Sequence, residues 1–94
     1  MVFVYIMASK KNGTLYIGVT ANIIRRVYEH KQGFVEGFTK RYKVTNLVYY
    51  ERFENIEQAI YREKRLKTWL RQWKLELIDK YNPEWLDLYD DICS

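Results

Sequence analysis

The stretch VFVYIMA at residues 2–8 and the stretch TLYIGV at residues 14–19 are joined by Ser9 and the tetrapeptide Lys10-Lys11-Asn12-Gly13. Both flanks are short runs of β-branched and aromatic side chains, and an Asn-Gly pair between two such runs is a strong hairpin signal. A turn that pairs residue 9 with 14, or 11 with 14, makes the numbers of paired residues sum to an odd value. Odd positions of the first strand then share a face with even positions of the second. Tyr5 and Tyr16 are therefore placed on one face of the sheet.

Outward from the hairpin, Thr20 or Asn22 can cap a helix over about residues 21–32, with Ile23, Ile24 and Val27 as its apolar stripe and Gly33 at its end. The segment GFVEGFTKRYK at residues 33–43 reads as a loop, and Thr45 to Phe53 as a third strand. Asn55 with Gln58 three residues later is a capping-box pattern that opens a second helix over about 56–68. A third helical pattern over about 71–81 stops at Asn82-Pro83, and residues 84–89 form one last turn. Trp69 and Trp73, in step with Leu66, Leu70 and Leu77, are expected in the core, and Trp85 with them. The order ββαβαα predicts an α+β fold: a small three-stranded, mainly antiparallel sheet flanked by helices.

The 94 residues carry 16 Lys and Arg against 12 Asp and Glu, a net charge of +4, which bounds the chain to a single domain over residues 1–94. One cysteine, Cys93, cannot form an intrachain disulfide and gives no reason to expect an oxidising compartment. The apolar start at residues 1–8 lacks a basic leader and is too short for a secretory signal or a membrane span, so a cytoplasmic protein without membrane attachment is expected. Charge is uneven: residues 1–50 hold 8 basic against 2 acidic residues (net +6), and residues 51–94 hold 8 against 10 (net −2). Within the second half, residues 62–74 carry six cations against Glu63 alone. Two basic regions of this kind fit a polyanion partner, though charge alone slightly favours a solvated helix face.

Three residues sit oddly for their elements. Arg26 and His30 fall beside the apolar stripe of the first helix on a common side, while Arg25 points away. Glu63 falls seven residues after Ile56 on the second helix, where Ile56, Ala59, Ile60 and Leu66 mark the inward face. An inward carboxylate needs a cation, either an arginine of the fold or a metal ion.

Phe3-Val4-Tyr5, then Leu15-Tyr16-Ile17-Gly18, then Arg26, His30 and Glu63 form, in this order and spacing, a pattern that resembles the GIY-YIG nuclease superfamily. Within it the chain is similar to the small stand-alone bacterial proteins related to the nuclease domain of the excinuclease C subunit. The likeness continues through EQAIYREKRLK at residues 57–67, KLELI at 74–78 and Asn82-Pro83-Glu84-Trp85. It departs at the first motif, where Phe3 and Val4 replace Gly and Ile. The resemblance implies that Tyr5 and Tyr16 are paired active-site tyrosines, Arg26 the catalytic arginine, His30 an auxiliary polar residue and Glu63 the metal ligand. Asn82 is either the family's asparagine near the end of the domain or simply the residue expected before Pro83 at a helix terminus.

The expected activity is metal-dependent endonucleolytic hydrolysis of DNA phosphodiester bonds, with one Mg²⁺ or Mn²⁺ ion on Glu63 that need not stay bound without substrate. Arg26 suits a bidentate contact with the scissile phosphate. Arg25, Lys40, Arg41, Lys43 and Lys67 are candidate nucleic-acid contacts, with Thr39 beside them. The general base is open. The resemblance favours a tyrosine, whose pKa of about 10 would need about 4 kcal/mol of help to reach 7, whereas His30 near 6.5 needs none. RNA in place of DNA also stays open, and a partner protein is the expected source of target specificity. Two other readings compete: a non-catalytic nucleic-acid-binding module on the same fold, and a protein-interaction domain in which Glu63 pairs with Arg26 and no metal binds.

Overall fold

In the computed structural model, which describes residues 1–34, 37 and 41–94, the hairpin forms between β1 (Val2–Ala8) and β2 (Leu15–Thr20). Ser9 N donates to Thr14 O at 3.0 Å and Gly13 N to Lys10 O at 2.9 Å, and Asn12 takes the positive φ of 60° that closes so tight a turn. The register pairs Tyr5 with Gly18 and Met7 with Tyr16, so the odd-sum rule holds and the two tyrosines share a face. β3 (Asn46–Phe53) lies antiparallel on the other side of β1, giving the order β2-β1-β3 with one irregularity between Ile6 and Met7.

Because β1 is buried on both faces, the molecule has two apolar layers. On the odd face, α1 (Ile23–Lys31) lays Ile23 and Val27 against Tyr5, Met7, Val44 and Leu47. On the even face, α2 (Ile56–Thr68) and α3 (Arg71–Tyr81) bring Ala59, Leu66 and Ile78 onto Val4, Ile6, Ala8 and Ile17, with Trp85 completing the layer. Each fully buried aliphatic side chain contributes about 1.5–3 kcal/mol. Asn22 Oδ1 accepts from Arg25 N at 3.1 Å and Asn55 Oδ1 from Gln58 N at 2.9 Å, which fixes where α1 and α2 begin.

Some expectations change. The last helical piece is α4 (Tyr89–Cys93), not a turn over 84–89, because Leu88 N donates to Leu47 O at 2.7 Å and holds residues 87–88 against β3 first. Trp73 is 50% exposed and Leu70 61%, so this part of the core stripe fails. The cause is the break at Trp69, whose extended backbone (φ −64°, ψ 149°) shifts the helical phase between α2 and α3. Ile24 and Ile56, also counted as inward by spacing, stand 43% and 47% exposed. Thr39 and Lys40 lie outside the described residues. Among the described residues no helix is long and apolar enough to cross a membrane.

Candidate active site

Tyr5 sits on the central strand, fully buried, and its ring is laid across Gly18 of the neighbouring edge strand. A Cβ at position 18 would stand 2.5 Å from Tyr5 Oη and 2.6 Å from Cζ, so only glycine admits the ring there. The hydroxyl is thereby carried over β2, where α1 delivers its partner: Tyr5 Oη and His30 Nε2 are 3.0 Å apart. Tyr16 joins them, with ring centroids 5.1 Å from His30 and 6.3 Å from Tyr5. Tyr16 is only half-buried, and among the described residues its hydroxyl has no hydrogen-bond partner.

Electrostatics ties two more residues to this cluster. Burial pushes the Tyr5 hydroxyl far above the ordinary phenol range, and Tyr16 and Glu63 push it the same way, while the positive charge of Arg26 pulls it down. Glu63 therefore acts on Tyr5 from α2, which packs on both β1 and β2. His30 is 2% exposed and its pKa falls to about 4, through burial first and the charge of Arg26 second, with Glu29 opposing. It is a neutral imidazole at pH 7. Among the described residues its buried Nδ1 has no hydrogen-bond partner.

The structure thus brings together Tyr5, Tyr16 and His30, with Arg26 and Glu63 in electrostatic reach. It does not bring Asn82. That side chain lies on the β3 side of the sheet, where its Nδ2 donates to Val48 O (3.1 Å) and Leu86 O (2.9 Å) and its Oδ1 accepts from Leu86 N (3.0 Å). Of its two readings, the structural one accounts for every polar atom of the amide.

The cation next to Glu63 is Lys67, at 3.1 Å on the following helical turn, and not Arg26. This overturns the pairing on which the protein-interaction reading stood. Arg26 is held instead by Glu29 at 3.4 Å. Lys67, expected on phosphate, is taken up by Glu63, while Arg25, Arg41 and Lys43 are exposed as expected. Arg25 shares Glu29, and Arg41 lies 5.6 Å from the Tyr42 ring centre.

Among the described residues no three His, Cys, Asp or Glu side chains gather into a ready metal cage. Glu63, a hard oxygen donor with its side chain 15% exposed, fits the sparser arrangement in which Mg²⁺ keeps several waters and takes one carboxylate plus substrate phosphate oxygens.

Sequence reasoning missed two contributors. Gly18 was visible as a glycine inside a strand, a mark of close approach that did not name the approaching ring. Glu29 was visible as the acid three and four residues from Arg26 and Arg25.

Compared with known proteins, residues 1–82 match the GIY-YIG catalytic domain. The chain belongs to the GIY-YIG family. It is 37% identical over 78 residues to a UPF0213 protein of Staphylococcus saprophyticus, an alignment covering 83% of this chain and 94% of the relative. A UPF0213 protein of Staphylococcus aureus is 40% identical over 76 residues, 81% of this chain and 92% of that one. Among solved structures, the solution NMR structure of a UPF0213 protein from Bacillus halodurans superposes with a TM-score of 0.54 at 29% identity, covering 87% of each chain. The GIY-YIG family is of nuclease type, and the chain's small antiparallel sheet with flanking helices is consistent with it.

Proposed function

We propose that this GIY-YIG protein is a metal-dependent endonuclease that hydrolyses DNA phosphodiester bonds. The observation that carries the reading is the convergence of Tyr5, Tyr16 and His30 beside Gly18, with the charges of Arg26 and Glu63 acting on the same hydroxyl. Glu63 would hold one Mg²⁺ or Mn²⁺ ion. Such an ion, when bound, supplies positive charge at the phosphoryl group and favours the hydroxide form of water. Arg26 leaves Glu29 to pair with the scissile phosphate, neutralising charge that builds on its oxygens.

The base is a pair, not a single side chain. A free Tyr5 phenolate is strongly disfavoured, but neutral His30 stands at hydrogen-bond distance and can accept the Tyr5 proton at Nε2 as Tyr5 Oη takes one from water. With a His30 pKa of about 4, charging it at pH 7 costs about 4 kcal/mol, well within what a catalysed step tolerates. Tyr16, with its hydroxyl open, contacts the substrate. The cytoplasm is the expected compartment, and a partner protein would choose the target.

The test is cleavage of supercoiled and single-stranded DNA with Mg²⁺ or Mn²⁺. The wild type should cut and Glu63→Ala should not; equal cleavage by both overturns the proposal. One observation favours a second reading, a non-catalytic nucleic-acid-binding module: Lys67 already neutralises Glu63. In that case binding weakens with salt and no divalent ion produces cleavage.

A further inference from the structure

At the N-terminal end of α1, beside the tyrosine cluster, lies a polar depression of about 350 Å³ lined by Thr20, Ala21, Asn22, Arg25, Arg26 and Glu29. The Glu29 carboxylate bridges both guanidinium groups there, Oε2 to Arg25 Nε and Oε1 to Arg26 Nε, each at 3.4 Å. The arrangement has the form of an anion held between two arginines, with the anion supplied by the protein. We infer that this depression is a second backbone-phosphate subsite, next to the scissile position, and that Glu29 is its resident occupant, displaced when nucleic acid binds. The inference rests on the nucleic-acid reading above and extends it to a residue that opposes binding.

Three features support displacement rather than a permanent ion pair. Both contacts are single N–O approaches at 3.4 Å, longer than the roughly 2.7–2.9 Å of a strong charge-assisted bond. The Arg25 side chain is 75% exposed and Arg26 41%, so water screens the pairs and each contributes little to stability. The first turn of α1 carries no acidic residue, so no negative charge of that turn opposes an incoming phosphate. A phosphodiester offers the two guanidinium groups oxygen acceptors of the same sign as Glu29. Arg26 then faces the scissile phosphate and Arg25 the adjacent one, and Glu29 sets the threshold at which the exchange occurs.

The experiment is fluorescence anisotropy with a labelled 20-bp DNA duplex in EDTA, so that no cleavage intervenes. Glu29→Gln should bind about fivefold tighter than wild type. Its plot of log affinity against log salt should steepen by about 0.9 for each phosphate newly engaged. Adding Arg25→Gln to Glu29→Gln should return affinity and slope to near the wild-type values. Glu84→Gln, an exposed acid beyond α3 with no partner among the described residues, controls for loss of one negative charge. Equal tightening by Glu84→Gln and Glu29→Gln, or no tightening by Glu29→Gln, overturns the subsite while leaving the nucleic-acid reading in place. Absence of salt-dependent binding by every variant overturns both. Circular dichroism melts identify any variant that fails to fold, and Glu29→Asp, which keeps the charge on a shorter stem, should then show an intermediate gain.

Discussion

Replacing Gly18 with alanine would put a methyl group 2.5 Å from the Tyr5 hydroxyl, inside any allowed contact, so the ring must swing off β2 and abandon His30. Gly18→Ala should cost about 2 kcal/mol in urea denaturation. It should also let the His30 pKa climb back toward 6.5 when followed by NMR. His30 itself makes stability depend on pH. Its folded pKa of about 4 lies below the unfolded value, so the neutral ring's contribution is complete above about pH 6.5 and is lost as pH falls toward 4. The loss amounts to about 3 kcal/mol over that window. His30→Phe should flatten the slope between pH 6.5 and 5, above the range where most carboxylates titrate; an unchanged slope would show that another group carries it. At this scale the sequence was partly legible. The odd-sum register places Tyr5 and Tyr16 on one face from the sequence alone, because a two-fold strand period leaves no other choice. The partner of Glu63 was not legible, since Lys67 and Arg26 are both cations and only the packing of α2 against β2 decides between them.

Elements whose ends are written in local chemistry came out where the sequence placed them. Asn55 accepts from Gln58 N to begin α2, and Asn82-Pro83 ends α3 at Tyr81. Elements whose ends depend on distant partners did not: α4 starts at Tyr89 because residues 87 and 88 are first pinned to Leu47, which no local pattern announces. Asn82 belongs to both classes. It ends a helix locally, and its amide also joins Val48 on β3 to the turn at Leu86. Asn82→Ala leaves those backbone groups short of three hydrogen bonds, one buried and two part-buried, and should cost about 2 kcal/mol in chemical denaturation. The proposed DNA cleavage, measured per folded molecule, should be the same in this variant as in the wild type. A variant of wild-type stability that had lost cleavage would instead return Asn82 to the catalytic set.

Over the whole molecule, the charge pattern that first pointed to a polyanion is redistributed by the fold. Of the basic run at residues 62–74, Arg62 is bound bidentately to Glu51 at 2.9 and 2.8 Å, Lys67 pairs with Glu63, and Arg71 holds the hairpin turn through Asn12 O and Gly13 O. The proposed binding face lies on α1, whose own position is set by the C-terminal residues. Asp87 Oδ1 accepts from Leu47 N at 3.1 Å and Tyr89 N at 3.1 Å, while Oδ2 pairs with Lys31, the neighbour of His30. Lys31 also donates to Thr45 O at 3.1 Å, so one carboxylate connects α4, β3 and the last turn of α1. Its contribution divides into two parts that two substitutions separate. The ion pair is partly exposed and contributes about 0.5 kcal/mol, whereas the part-buried Leu47 N–H left without an acceptor costs about 1–2 kcal/mol. Asp87→Asn keeps an oxygen for Leu47 N and should lose about the first amount; Asp87→Ala should lose about 2 kcal/mol and free Tyr89 to solvent. Urea titrations of the two variants side by side decide the matter: equal losses would mean that charge, not the backbone bond, fastens α1 to the rest of the molecule.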